Sequence, residues 1–358
     1  MVFAIEDSPV YMMGAFDLMT WMVESKDQVQ SVFSTGGGVP WSDHTSCFFC
    51  AVARFFRPGY HNNLVSTWLP ALNGVVDKLQ RGGKVADVGC GHGWSTVLMA
   101  KAFPKSQFIG YDFHPSSIEQ ATAHAREHGV AANTRFEVAT AKGYSEKDFD
   151  LVAFFDCLHD MGDPAGAAAH VRQSLKPDGS WMIVEPMAGD KLEDNLNPVG
   201  RIYYAGSTMG CVPTSLSQEV GAALGAQAGE ARLREVITAG GFRNVRRAAE
   251  TPFNMILEAR LQRAAHGPDR VPAATGVARA AETRQATGSS QAAIGHFWSR
   301  ASFGSSGSIC SSGSRHGYET MANSEATTVR LQKICIAQRA TEGSYNANDH
   351  FPRTCEGL

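Results

Sequence analysis

Between Val85 and Ser117 a few residues have the types and spacing to hold a nucleotide-like ligand. Asp87 precedes a turn with glycines at Gly89, Gly91 and Gly93, and Asp112 follows roughly twenty residues on. Glycine lets the chain bend sharply and lets a ligand approach the backbone without a Cβ in the way. A carboxylate at the end of the next strand can accept hydrogen bonds from both hydroxyls of a ribose. Two ligand classes fit such a turn. A dinucleotide fingerprint, GxGxxG, needs its third glycine where this chain has Trp94, and Asp87 suits a cationic ligand better than a pyrophosphate.

These residues must be positioned by strands and helices in alternation. The pattern predicts a buried strand from Lys84 to Val88, a helix from about Ser95, and a second strand ending in Asp112. A helix opening near Pro115 and closing by Gly129 follows, then a strand from Arg135 to Ala139. A fourth strand spans Phe149 to Asp156, a helix runs to about Leu175, and a fifth strand spans Ser180 to Pro186. After roughly forty inserted residues come a helix closed by Gly240 and Gly241 and two last strands, RNVRRAAE and FNMILEAR. Regular alternation argues for an α/β fold whose parallel sheet is covered on both faces. Ligands of such sheets bind beyond the carboxyl ends of the strands. There Asp87, Asp112, Thr140, Asp156, His159, Asp160 and Glu185 converge.

An acid followed by GxGxG (Asp87 to Gly93), the placed Asp112 and the Gly241–Phe242 pair before the sixth strand together resemble the class I S-adenosylmethionine-dependent methyltransferases, over about Lys84 to Arg260. The resemblance implies a Rossmann-like seven-stranded sheet of order 3-2-1-4-5-7-6, S-adenosylmethionine as cofactor, and methyl transfer to a small-molecule acceptor. It also implies that Asp87, Gly89, Gly91 and Gly93 wrap the methionine part and that Asp112 holds the ribose. Phe113, Thr140 and Ala141 would border the adenine, with Asp156 completing the cofactor site. More narrowly, GGGVPW, FFRPGY, ADVGCGHG, CLHDMGDP, IVEP and DNLNPVGRIYY resemble a subgroup with a winged-helix segment before the catalytic domain, often labelled transcriptional regulators. Residues 1 to 40 leave no room for a complete winged helix, so DNA binding is not expected.

His159, just past the fourth strand, has the pKa range of a general base near neutrality. The plainer reading is a histidine that bonds the loop backbone and shapes the pocket. Asp156, His159 and Asp160 could hold a divalent ion, and Cys47 with Cys50 form a CxxC; with no second cysteine pair, no metal is expected. Trp41 and Tyr60 lie beside Gly and Pro loops and are candidates for contact with the acceptor. Glu185, ending the fifth strand, either faces the acceptor or caps a loop. Tyr203 and Tyr204 sit in the insertion, where by analogy of fold the acceptor pocket varies.

Residues 1 to 80 read as a helical cap over the cofactor edge, with one helix over Phe16 to Phe33 and a second, SCFFCAVARFF, stopping near Pro58 and Gly59. Residues 81 to 262 read as the methyltransferase domain. Residues 263 to 358, with Gly/Ser clusters and no sustained apolar period, are expected to be disordered. The 358-residue chain is 43% apolar, enough for a sizeable core, and its formal charge of -3 has no nucleic-acid footprint. No run of about 18 apolar residues could span a membrane. Eight cysteines lack a framework spacing, and the N-terminus lacks the basic region of a secretory signal. A cytoplasmic protein is expected, and the apolar FFCAVARFF offers a surface for a homodimer. Two rivals stay open: a cofactor-binding regulatory module without turnover, and a nicotinamide-dependent oxidoreductase.

Overall fold

The computed structural model describes residues 1–261. The expectation for residues 263–358 lies outside the described residues.

Seven strands form one sheet: β1 (Lys84–Val88), β2 (Gln107–Asp112), β3 (Thr134–Val138), β4 (Phe149–Phe155), β5 (Leu175–Pro186), β6 (Asn244–Glu250) and β7 (Asn254–Arg260), in the order β3-β2-β1-β4-β5-β7-β6. The first five pair in parallel, and β7 runs antiparallel to both β5 and β6. This is the order the resemblance implied. The central strands are buried on both faces because each alternates two apolar sets. Ala86, Val88, Val152, Phe154, Trp181 and Ile183 share a core with α6 (Pro164–Ser174) and α9 (Gly229–Ala239). Val85, Leu151, Ala153, Met182 and Val184 share the other with α3 (Val75–Arg81) and α4 (Trp94–Ala102). The fifth strand begins five residues earlier than expected, at Leu175, and its register with β4 shifts between Phe149 and Leu151.

Ahead of α3 the chain forms α1 (Met13–Thr35) and α2 (Ser46–Asn63). The expected stop of the second helix at Pro58 is corrected: α2 runs through Pro58 and continues as a π-helical turn over Leu64–Trp68. A proline removes one backbone donor and crowds the preceding turn, which weakens a helix without ending it where packing holds both sides. Here the rings of Phe56 and Tyr60 lie nearly parallel at 6.0 Å, and Tyr60 also meets Trp68 and Phe155. Asn62 donates its side-chain amide to the Pro58 carbonyl at 2.7 Å. Helix α5 (Pro115–Glu127) joins β2 to β3. The insertion after β5 folds into α7 (Pro198–Gly206), a π-helical turn over Ser207–Cys211, and α8 (Val212–Leu216).

Candidate cofactor and acceptor site

Asp87 ties the end of β1 to the first turn of α4. Its Oδ2 accepts hydrogen bonds from Ser95 Oγ and Thr96 Oγ1, each at 2.6 Å. Burial pushes its pKa up to about 6 against those two hydrogen bonds. Asp87 Oδ1 is buried and has no hydrogen-bond partner within the protein. The turn that follows is fastened to β2, since Gly89 N and Cys90 N both donate to the Tyr111 carbonyl.

All three glycines of the turn have positive φ, yet their surroundings differ. A Cβ on Gly93 would stand 2.8 Å from Ala121 Cβ and 2.9 Å from Phe136 Cε1, so this glycine lets the helix pack against its neighbours. A Cβ on Gly91 would meet nothing within 4 Å. Gly91 therefore borders open space, where a ligand can approach its backbone.

Asp112 closes the other side of that space. Its Oδ2 accepts from Gly91 N and its Oδ1 from His114 N, both at 2.9 Å. A carboxylate offers about four lone-pair sites, so each oxygen can still accept from a ligand hydroxyl. Ala139 N donates to the Asp112 carbonyl, which brings the turn carrying Thr140 and Ala141 to the same edge. Phe113 is exposed there. The ring of Phe49 stacks on His114 at 4.2 Å, and Trp41 packs on Phe49 and Phe48, so the N-terminal aromatics reach the Asp112 side of the site. Trp94, where a dinucleotide site needs glycine, packs on His124 beneath the Arg57 guanidinium.

A second cluster gathers at the ends of β4 and β5. Asp156, with φ of 50°, is a left-handed non-glycine residue, a conformation that aspartate tolerates better than most side chains. Its Oδ2 accepts from the Tyr60 hydroxyl at 3.1 Å and its Oδ1 from Asn254 Nδ2 at 2.9 Å. Burial, helped by the nearby Glu185 charge, pushes its pKa up to about 8. Glu185 is buried with both oxygens engaged: Oε1 accepts from Leu158 N at 3.0 Å, and Oε2 lies 2.5 Å from His159 Nδ1. His159 Nε2 lies 3.1 Å from Asp160 Oδ1. Burial works against a charge on His159, but Asp160 and Glu185 outweigh it and hold its pKa well above the ordinary value. Cys157 links the two clusters, its thiol donating to the Val88 carbonyl at 3.3 Å beneath Gly89.

The residues named from the sequence thus fall into two groups. Asp87, Gly91 and Asp112 line the open turn, whereas Tyr60, Asp156, His159 and Glu185 form the buried network beside it. His159 is held between two carboxylates, Glu185 at Nδ1 and Asp160 at Nε2. Tyr203 is buried and donates to the Phe253 carbonyl at 2.6 Å, and Tyr204 is half-buried. Sequence reasoning missed Asn254 and Cys211, which join the network from remote elements with no local motif.

The turn fits S-adenosylmethionine, the cofactor that the resemblance implied. Asp87 Oδ1 is a buried acceptor without a partner, Gly91 opens onto space, and Asp112 has lone pairs left for a diol. Residues 79–233 match the family model described as methyltransferase domain. The chain is 31% identical over 151 residues to a ubiquinone biosynthesis O-methyltransferase of Leptothrix cholodnii, covering 41% of this chain and 61% of that one. It is 34% identical over 100 residues to the Methylococcus capsulatus protein of the same name, covering 28% and 41%. The chain thus spans about half the length of these curated relatives. Among solved structures, an O-methyltransferase family protein from Burkholderia thailandensis superposes with TM-score 0.56 at 14% identity, over 70% of this chain and 72% of that one. The human N-acetylserotonin methyltransferase in complex with SAM does so with TM-score 0.50 at 15% identity, over 72% of each. Strand order and family match agree: residues 79–233 match a methyltransferase domain, and the sheet has the order that the resemblance to class I S-adenosylmethionine-dependent methyltransferases implied.

Proposed function

We propose that the chain binds S-adenosylmethionine at the Asp87–Asp112 turn and transfers its methyl group to a small-molecule acceptor. The observation that carries this reading is Asp112, whose carboxylate faces the open space at Gly91 while two backbone N–H groups hold it in place. Asp112 would hold the ribose hydroxyls, and the orphan Asp87 Oδ1 would draw the cationic methionine end. Phe113, Thr140 and Ala141 would border the adenine. Bound S-adenosylmethionine supplies a methyl group on a sulfonium, and the protein's share is to orient the acceptor against it. Orientation of two reactants lowers a barrier by roughly 7 to 11 kcal/mol.

His159, held by Glu185 and set beside Asp160, serves in this reading to position the acceptor. The names of the two relatives favour a hydroxyl acceptor. We take residues 1–80 as a cap over residues 81–262, with Trp41, Tyr60 and Tyr204 nearest the acceptor and the N-terminal helices suited to a second copy. No nucleic-acid partner is proposed. Among the described residues no helix is long and apolar enough to cross a membrane, and composition favours the cytoplasm. Production of S-adenosylhomocysteine from S-adenosylmethionine, dependent on a hydroxylated small molecule from a panel, tests the reading. A second reading, cofactor binding without turnover, draws support from the engaged nitrogens of His159; it would show as tight binding with no acceptor-dependent product.

A further inference from the structure

His159 and Asp160 stand within ion-pair distance, but no hydrogen bond joins them. Their facing atoms, Nε2 and Oδ1, are 3.1 Å apart, yet Asp160 Oδ1 is buried with no hydrogen-bond partner. The two atoms are close without being aligned on one another. Two donors each about 2.1 Å from a shared tetrahedral ion stand roughly 3.4 Å apart, close to the separation here.

A third donor faces the same point. Cys211 ends the π-helical turn over Ser207–Cys211, and its thiol sits against both His159 and Asp160. One ligand atom from each of His159, Asp160 and Cys211 lies within 4.8 Å of the others. The framework around them is tied down. Gln218 Nε2 donates to the Asp160 carbonyl at 2.9 Å and Ser215 Oγ to the Met161 carbonyl at 2.8 Å, which fixes α8 to the one-turn 3-10 helix over Leu158–Asp160. π-Turns of this kind recur at functional sites.

The outer contact also has the form a metal site needs. A ligating histidine passes its other ring N–H to a carboxylate, which fixes the tautomer and raises the basicity of the donor nitrogen. Glu185 Oε2, 2.5 Å from His159 Nδ1, occupies that place, and Glu185 is itself held by Leu158 N.

The geometry points to a divalent transition-metal site of the zinc class, with His159 Nε2, Asp160 Oδ1 and Cys211 Sγ as its three ligands. One nitrogen, one carboxylate oxygen and one thiolate suit zinc and cobalt and select against magnesium and calcium. Three protein ligands leave a fourth position for water or for an ionisable atom of a bound molecule. The proposal departs from the sequence-based expectation of no metal, and its ligands differ from the set weighed there, because Asp156 is committed to Tyr60 and Asn254.

Cobalt(II) tests it on the full chain without cofactor or acceptor, so the outcome stands apart from the methyl-transfer reading. Metal-free protein titrated with cobalt should develop a thiolate-to-cobalt charge-transfer band and tetrahedral d–d bands, saturating at one equivalent. One equivalent of zinc should abolish them, and excess magnesium should not. Cys211→Ser should lose the charge-transfer band, whereas the double variant Cys47→Ser, Cys50→Ser should keep it. Glu185→Gln should weaken zinc binding about 10- to 100-fold. If Cys211→Ser does not fold, as judged by circular dichroism, Asp160→Asn replaces it and should bind zinc at least tenfold more weakly. Absence of the bands, their persistence in the Cys211 variant, or unchanged zinc affinity in the Asp160 variant overturns the proposal.

Discussion

The Tyr60 hydroxyl donates to Asp156 Oδ2 at 3.1 Å, joining a helix of the N-terminal segment to the end of β4 across 96 residues of chain. This contact fastens α2 to the end of β4, and the carboxylate that receives it is one burial drives toward its neutral form.

Stability should therefore depend on Asp156 with a definite sign. Its folded pKa of about 8 lies above the ordinary 3.8, so between these values the folded state binds more protons than the unfolded one. Stability then falls as pH rises through this window. Urea unfolding of the wild type should show a larger loss between pH 4 and pH 8 than that of Asp156→Asn; parallel curves would show that Asp156 titrates normally.

Glycine substitutions in the turn should separate packing from binding. Gly93→Ala combines a positive φ with close contacts to Ala121 and Phe136, and should cost about 2 to 5 kcal/mol in thermal or denaturant unfolding. Gly91→Ala meets no neighbour and should cost only about 1 to 2 kcal/mol from backbone strain, while cofactor binding suffers more than stability. Equal destabilisation by the two would contradict the assignment of open space to Gly91.

Glu185→Gln keeps the shape of the side chain but leaves His159 with one carboxylate fewer in a buried setting. Removing one partner of a buried pair costs about 3 to 5 kcal/mol, and the His159 pKa should fall. Chemical denaturation and proton NMR of the imidazole would read both effects; an unmoved histidine titration would place its charge under other control.

Much of this site was legible because its signals are local. The Asp87 to Gly93 turn, the strand ending in Asp112 and the Gly241–Phe242 pair are each contiguous, and the sheet order follows from the family they resemble. Pro58 misled because a helix stop is also a local signal, and here the aromatic packing of Phe56 and Tyr60 overrides it. Cys211 and Asn254 carried no signal at all. Cys211 is about fifty residues from Asp160 and meets it only because the insertion folds back over the end of β4. The clamp on His159 was hidden likewise, since Glu185 joins it from a neighbouring strand.

Asp112 bears the central claim most directly. Calorimetric titration of the purified full chain with S-adenosylmethionine and S-adenosylhomocysteine, repeated on Asp112→Ala, should show one site for either ligand and about 10- to 100-fold weaker binding in the variant. Absence of binding by the wild type, or equal affinity in the variant, would contradict the account of the glycine turn as a cofactor site.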